Sequence, residues 1–223
     1  MRTYSRAAFR SLNSRFLHQI SITSNAGVGG TTLMNLLKQE PKYSRYRFVS
    51  AGSLMRERAE SLGFATIEEF VEHAGLHPEE EHDLWCDSAI ATCGERDRLI
   101  CESRLSHIFM PHAFKVKLTC GPFIRARRRI KSRGLNMYRT LQGIVDRDAS
   151  DWERYEALYP GCRWSNEDYD LVIDTGLCTR QGMLDIVVRS HEVWKKALPK
   201  RKIISSTSVR GDHTGIVRQS LAA

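Results

Sequence analysis

The sequence predicts an α/β fold, a doubly wound parallel sheet of five strands with a helical lid. Between residues 19 and 198, short β-rich runs alternate with longer helical patterns, which is typical of βα units around a parallel sheet. The first run leads into a glycine-rich turn and then a helix, an arrangement whose backbone N–H groups suit an anion. The 223 residues, 41% of them apolar, suffice for one such domain with a full core.

The individual elements follow from these patterns. Five strands are predicted at residues 20–24, 47–51, 98–102, 115–120 and 169–175. Helices are predicted at residues 31–38, 53–62, 67–74, 79–92, 123–132, 137–158 and 181–197. The stretch at about residues 133–164 is dense in charged and aromatic residues and long for a plain crossover. We interpret it as a lid that closes over a ligand.

The formal charge of +8 is concentrated at the two ends of the chain. Residues 1–18 carry four arginines and no acid, and residues 195–223 carry seven lysines or arginines against one aspartate, so the middle sums to −2. A nucleic-acid partner is not expected, because binding to phosphate backbones needs a basic stripe on the folded body. A membrane partner is not expected either, since no apolar run approaches the ~18 residues of a spanning helix and no secretory signal opens the chain.

The two tails allow more than one interpretation. In residues 1–18, Phe9, Leu12, Phe16 and Leu17 recur at helical spacing among arginines and serines. This pattern fits either an amphipathic peptide for import into mitochondria or another organelle, or a frayed basic terminus of a cytoplasmic protein. Residues 199–223 lose periodicity and are predicted to be a disordered basic tail.

The cysteines and histidines do not predict a metal centre. The six cysteines form no C-x-x-C pair, so we expect reduced thiols in an intracellular protein. Three histidines, His73, His77 and His82, are near one another, but Gly75 and Pro78 are expected to break the helix that would put them on one face.

The glycine-rich turn "SNAGVGGTT" is the first candidate binding site. Its glycines let the backbone approach closely while free N–H groups point at phosphate oxygens, and Thr31 is placed to bind Mg²⁺. The turn departs from G-x-x-x-x-G-K-[ST], with Ser24 at the first glycine and Gly30 in place of the lysine. A purely structural turn remains the alternative. The predicted binding residues are Ser24, Asn25, Ala26, Gly27, Val28, Gly29, Gly30, Thr31 and Thr32.

Four further blocks resemble cytidylate kinases, in particular the archaeal type. The segment "FVSAGSLMRERAESLGFATIEEFVEHAGLHPEEEHDL" is similar to their nucleoside-monophosphate-binding region, and "LICESRL" to a strand ending in Glu-Gly-Arg, with Ser103 in place of the glycine. The lid pattern R-D-x-x-D-x-x-R is matched in "DRDASDWERYEALYPG", and "YDLVIDTG" resembles the closing strand. The blocks span residues 19–190 in the family's order. The sequence therefore resembles a P-loop nucleoside monophosphate kinase.

The resemblance implies an activity and a set of residues. It implies phosphorylation of CMP or dCMP by ATP with Mg²⁺, small-molecule nucleotides as partners, and a monomer. Arg147 and Asp151 would contact the CMP, and Arg154 would stabilise the transferring phosphoryl group. The acceptor would be held by Ser50, Arg56 and Arg104. Glu102 would orient Mg²⁺ through water, and Arg129, within the basic cluster at residues 125–133, would face the lid and ATP.

The residues themselves support this set. Arginine binds phosphate oxygens bidentately and stays charged, which suits a phosphoryl transfer. Arg147 and Arg154 are seven residues apart and share one helical face with Asp151. The alternative for this trio is a solvated helix face with a weak ion pair.

Three functions remain open at this point. The retained arginines and aspartate favour an active (d)CMP kinase. The loss of the lysine at Gly30 and of the glycine at Ser24 favours a nucleotide-binding protein without catalysis, although archaeal-type relatives that the chain resembles often have Thr in place of this lysine. A kinase of another small acceptor is the third, since a fold does not fix a substrate.

Overall fold

The computed structural model describes residues 18–77, 80–133, 136–161 and 165–197. The possible import peptide at residues 1–18 lies, but for His18, outside the described residues, as does the predicted basic tail at residues 199–223. Within the described part, no helix combines the length and the apolar character needed to cross a bilayer.

All five predicted strands are present, with each end within two residues of the expectation. They are β1 (Gln19–Ser24), β2 (Arg47–Ser50), β3 (Leu99–Glu102), β4 (Phe114–Thr119) and β5 (Leu171–Asp174), in the order β2-β3-β1-β4-β5. The pairings β1–β3, β2–β3 and β4–β5 are parallel. The fold is thus the predicted five-stranded parallel sheet with flanking helices.

The seven predicted helices are present, and an eighth was missed. They are α1 (Gly30–Gln39), α2 (Ala51–Ser61), α3 (Ile67–Leu76), α4 (His82–Gly94), α5 (Ser106–Phe109), α6 (Pro122–Arg133), α7 (Met137–Leu158) and α8 (Arg180–Ala197). Helix α5 has four residues, too few to show a period. Helix α4 begins three residues later than expected, after Glu81, whose φ of 51° is left-handed. The expected break at Gly75 is wrong, because α3 continues through it to Leu76.

The described residues form two compact units. The first contains the residues up to Thr23 and Met34–Lys115, and the second contains Ser24–Leu33 and the residues from Val116 onward. The core of the first unit packs β2 and β3 on α4 through Val49, Ile90, Leu99, Cys101 and Met110. Buried apolar side chains of the second unit include Leu33, Leu118, Ile144, Ile173 and Val187.

Local polar contacts explain why β1 is buried along its whole length although four of its six residues are polar. Ser21 Oγ donates to Ser106 Oγ at 2.9 Å, and Thr23 Oγ1 lies 3.3 Å from Nδ1 of His107. Buried hydroxyl groups need such partners. These contacts hold the end of β1 within the first unit.

The described cysteines agree with the expectation of reduced thiols. The five of them, Cys86, Cys93, Cys101, Cys120 and Cys178, are free. Burial raises the pKa of Cys86 and of Cys101, and nearby carboxylates add to the effect, so neither thiol is reactive at neutral pH.

Candidate active site

The glycine-rich turn connects β1 to α1 in the conformation that its glycines permit. Gly27 has a φ of +78° and Gly29 a φ of +125°, values that side chains with a Cβ rarely adopt. Val28 N–H donates to Asn25 O at 3.2 Å, and Leu33 N–H donates to Gly29 O at 2.9 Å. Ser24 and Gly30 do not have a positive φ. Serine at position 24, where the P-loop pattern has glycine, is therefore compatible with an unstrained backbone. The same holds for position 30, where the pattern has lysine and this chain has glycine.

Two arginines of α6 hold the carbonyl groups of this turn. Arg125, only 3% exposed, donates from Nε and Nη2 to Ala26 O at 2.9 and 2.7 Å. Arg128 Nη1 donates to Val28 O at 3.3 Å, and the Thr175 hydroxyl donates to the same oxygen. In a planar trans peptide the next N–H points opposite to the carbonyl. The N–H groups of Gly27 and Gly29 consequently face away from these arginines, as donors for an anion.

The two arginines are themselves fixed by other elements of the second unit. Both Nη atoms of Arg125 donate to the carboxylate of Asp148 on α7, with Nη2 2.9 Å from Oδ1. Arg128 donates to the hydroxyl of Thr175, at 3.1 Å, and to its carbonyl oxygen. The turn is thus connected to α6, α7 and the residue after β5.

Sequence reasoning missed Arg125 and Arg128 as the residues that orient the turn, and selected Arg129 from the same cluster. Arg129 is half-buried on α6, and its catalytic role stays a prediction. The available signals were the i, i+3 spacing of Arg125 and Arg128 and the presence of Asp148 in the lid pattern. Spacing alone did not show which of six neighbouring cations is buried.

The trio predicted on one face lies on α7. Asp151 is buried, and Arg154 Nη2 donates to its Oδ1 at 3.0 Å. The Arg154 guanidinium also lies 4.9 Å from the ring centre of Tyr155 and is 42% exposed. Arg147 is exposed. The carboxylate of Asp151 is therefore not part of a solvated surface pair, while both arginines keep exposed guanidinium groups.

In the first unit, Ser50 ends β2 and begins α2. Its Oγ accepts from Ser53 N–H at 3.1 Å and lies 2.8 Å from Ser53 Oγ, a capping box. Arg56 is exposed on α2 and folds back toward the helix start, with Nη1 3.5 Å from the point that a Cβ on Gly52 would occupy. The register pairs Ser50 with Glu102, so these two residues share one end of the sheet.

The residues after β3 explain the Ser103 departure. Ser103 is buried, its N–H donates to Ile22 O at 3.1 Å, and its Oγ accepts from Leu105 N–H at 3.2 Å. It does not have a positive φ, so glycine is not required here. Glu102 and Arg104 on either side are half-buried.

The oxygen donors present suit magnesium. Thr31 is the second residue of α1 and exposed, so its hydroxyl is accessible next to the N–H groups of the turn. Glu102 supplies a carboxylate at the end of β3. Mg²⁺ prefers such oxygen ligands and keeps several waters. Thr31 in the second unit and Glu102 in the first unit are therefore chemically suited to Mg²⁺. The N–H groups of the turn are suited to phosphate.

The chain is similar to known proteins over about three quarters of its length. No family model matches the chain. It is 30% identical over 169 residues to a cytidylate kinase of Pyrococcus abyssi, a match that covers 75% of this chain and 90% of that protein. The chain belongs to the cytidylate kinase family. A cytidylate kinase of Methanocaldococcus jannaschii is 29% identical over 182 residues, 79% of this chain and 99% of the relative.

Solved structures of other kinases share the fold of this cytidylate kinase family member. A gluconokinase of Sinorhizobium meliloti superposes with a TM-score of 0.53 at 12% identity, covering 84% of this chain and 99% of that one. A shikimate kinase of Bacteroides thetaiotaomicron gives a TM-score of 0.51 at 16% identity. The match covers 81% of this chain and 98% of the shikimate kinase. At these identities the likeness concerns the fold alone.

Proposed function

We propose that this chain transfers the γ-phosphoryl group of ATP to cytidine monophosphate or deoxycytidine monophosphate. One observation supports the proposal in this family member: Arg125 and Arg128 bind the carbonyl oxygens of Ala26 and Val28, so the adjoining N–H groups of the glycine-rich turn face away from the two arginines. Backbone N–H groups of such turns are suitable donors for phosphate oxygens.

In the proposed reaction the phosphate oxygen of the acceptor forms a bond to Pγ while the bond from Pγ to the β,γ-bridging oxygen breaks, and ADP leaves. The N–H groups at residues 24–32 hold the ATP phosphates. Arg154, with Arg147 and Arg129, stabilises the charge on the phosphoryl group in flight. Thr31 and Glu102 are the residues that would hold Mg²⁺, which would neutralise charge on the phosphates when bound.

Of the proposed contacts of the acceptor, Asp151 belongs to the second unit. Asp151 can accept a hydrogen bond from the cytosine amino group, as carboxylates do for cytosine in nucleic-acid recognition. Because Asp151 is buried and oriented by Arg154, its carboxylate is held in one position. Ser50, Arg56 and Arg104 hold the remainder of the acceptor nucleotide.

A second function is supported by Gly30. This residue supplies no cation at the lysine position, and the guanidinium groups of Arg125 and Arg128 already bind carbonyl oxygens and Asp148 or Thr175. A protein that binds nucleotide without turnover is therefore the main alternative. A kinase of another small acceptor is the third.

A coupled ADP-release assay with Mg·ATP separates these functions. The acceptors are CMP, dCMP, UMP, AMP and shikimate, each tested on the wild type, on Arg154→Ala and on Arg139→Ala. Arg139 is an exposed arginine on the same helix and serves as the matched control. Calorimetric titration with ATP and with CMP accompanies the assay.

We expect turnover with CMP or dCMP that Arg154→Ala lowers by on the order of 100-fold or more and Arg139→Ala leaves unchanged. Binding of ATP and CMP without turnover on any acceptor would favour the inactive nucleotide-binding protein. Turnover confined to UMP, AMP or shikimate would replace the acceptor in the proposal.

A further inference from the structure

Three metal-ligating side chains converge at one point of the first unit. His73 Nε2 lies 3.1 Å from both carboxylate oxygens of Glu80, and His82 Nε2 lies 2.8 Å from Glu80 Oε2. One ligand atom from each residue falls within 4.8 Å of the other two. None of these residues is used by the proposed reaction.

The backbone brings the three residues together. His73 lies in the last turn of α3, and His82 is the first residue of α4. Glu81, between Glu80 and His82, adopts a left-handed conformation with a φ of 51°, and the side chains of Glu80 and His82 are in contact. The two histidines therefore meet at Glu80 although they lie in different helices and share no helical face.

Aromatic packing fixes the orientation of both imidazole rings. The ring centre of Phe70 lies 4.8 Å from that of His82, and Phe64 lies 5.0 Å from His73. The ring of His77 packs on that of His73, with 4.4 Å between the two ring centres. The two Nε2 atoms are therefore held toward the carboxylate before any ligand arrives.

His82 is almost fully enclosed by the protein. Its side chain is 4% exposed, and its Nε2 is the ring nitrogen that lies against Glu80. Its Nδ1 is buried with no hydrogen-bond partner among the described residues. The nitrogen of His82 that is available at this point of the first unit is therefore Nε2.

We propose that His73 Nε2, His82 Nε2 and a carboxylate oxygen of Glu80 bind one Zn²⁺ ion. Two imidazoles and a carboxylate are ligands that zinc accepts, at roughly 2.0–2.2 Å, which puts tetrahedral ligand atoms about 3.4 Å apart. The observed spacing of the three ligand atoms needs only small side-chain shifts to reach this. Water fills the fourth position, because Glu80 and His73 are partly exposed, at 40% and 31%.

The ligand set of the cluster suits a divalent cation. It contains one carboxylate, from Glu80, and two imidazole rings, from His73 and His82. The ion joins the end of α3 to the start of α4, and its role is to hold these two helices together.

The test uses the full-length chain without a histidine tag, stripped with a chelator and dialysed. Calorimetric titration with ZnCl₂ measures stoichiometry and affinity, and the visible spectrum with CoCl₂ reports a tetrahedral site. The variants are His73→Ala and Glu80→Gln, whose side chains are partly exposed. The matched controls are His112→Ala and Glu72→Gln, which replace exposed residues of the same unit.

We expect one equivalent of Zn²⁺ in the wild type, a tetrahedral Co²⁺ spectrum and a raised thermal midpoint with ZnCl₂. Each of the two site variants should weaken Zn²⁺ binding by about tenfold or more, while both controls bind like the wild type. A wild type that binds neither metal overturns the proposal, whatever the variants do. Binding that survives in both site variants, or falls equally in the controls, overturns it as well.

Discussion

A single side chain, Arg125, connects the glycine-rich turn to α7. Its guanidinium makes two hydrogen bonds to Ala26 O and two to the Asp148 carboxylate, with almost no exposure to solvent. Groups with this many buried bonds are costly to remove, because their partners lose donors that water cannot easily replace. Arg125 is therefore a residue whose loss affects both stability and binding.

We expect Arg125→Ala to lower the free energy of unfolding by about 3 kcal/mol. This value is at the lower end of the range for a buried ion pair that loses one partner, because the side chain of Asp148 is partly hydrated. The substitution should also weaken ATP binding, because Ala26 O is no longer held. Urea unfolding and calorimetric titration with ATP measure the two effects. Arg127→Ala replaces an exposed neighbour on the same helix and should change the free energy of unfolding by less than about 0.5 kcal/mol. Equal losses in both variants would contradict the role of Arg125.

Gly30 is the residue at which a lysine can be restored. It is the first residue of α1 and does not have a positive φ, so a side chain is compatible with its backbone. We expect Gly30→Lys to raise kcat for CMP on the order of tenfold, because it adds a cation at the phosphates. Gly30→Ala controls for helix propensity, and the coupled ADP-release assay measures both. If Gly30→Lys and Gly30→Ala had the same kcat, charge at this position would not limit the reaction.

The candidate site shows which features can be predicted from residue patterns and which cannot. The glycine-rich turn was predictable because its glycines and threonines follow a strand and precede a helix in the printed order. The choice among the arginines at 125–133 was not, because a helix with six cations in nine residues has several plausible faces. Only packing shows that Arg125 is buried and that Arg128 contacts Thr175.

At the scale of elements, α7 carries the residues of the predicted lid and depends on the residue that caps its start. The side chain of Asn136 accepts from Arg139 N–H at 3.1 Å and caps a helix of 22 residues that includes Arg147, Asp148, Asp151 and Arg154. We expect Asn136→Ala to lower the free energy of unfolding by about 1 kcal/mol, measured in urea. Asn136→Asp keeps the cap and should retain wild-type stability. A loss as large in Asn136→Asp would show that the side-chain cap is not the cause.

Elements were predictable where periodicity covers two turns or an alternating run, as in α7, whose bounds the sequence predicts at 137–158. The helix that was not predicted and the helix ends that were predicted wrongly have local causes. Helix α5 has four residues, and the start of α4 depends on the left-handed Glu81, which no propensity favours in a glutamate. Gly75 does not end α3, because one glycine costs a helix only about 1 kcal/mol.

At the scale of the whole molecule, the sequence predicts a folded body near neutrality, since the tails carry the excess positive charge. This distribution still argues against a nucleic-acid surface on the body. The two compact units were not predictable from it, because their boundaries at Thr23, Leu33 and Lys115 fall inside or beside strands and helices rather than in linkers. The division into compact units depends on long-range packing, which cannot be inferred from the spacing of residues in the sequence.

Global unfolding should depend on alkaline pH through Tyr46. Burial, with Asp97, raises the pKa of Tyr46 from 10.0 to about 12. Between these values the unfolded chain loses the phenolic proton and the folded chain keeps it, so the free energy of unfolding falls as the pH rises from about 10 toward 12. Tyr46→Phe removes this proton, and its urea midpoint should fall less than that of the wild type over the range. Tyr138→Phe replaces an exposed tyrosine and should follow the wild type. Parallel decreases in all three chains would contradict a part for Tyr46.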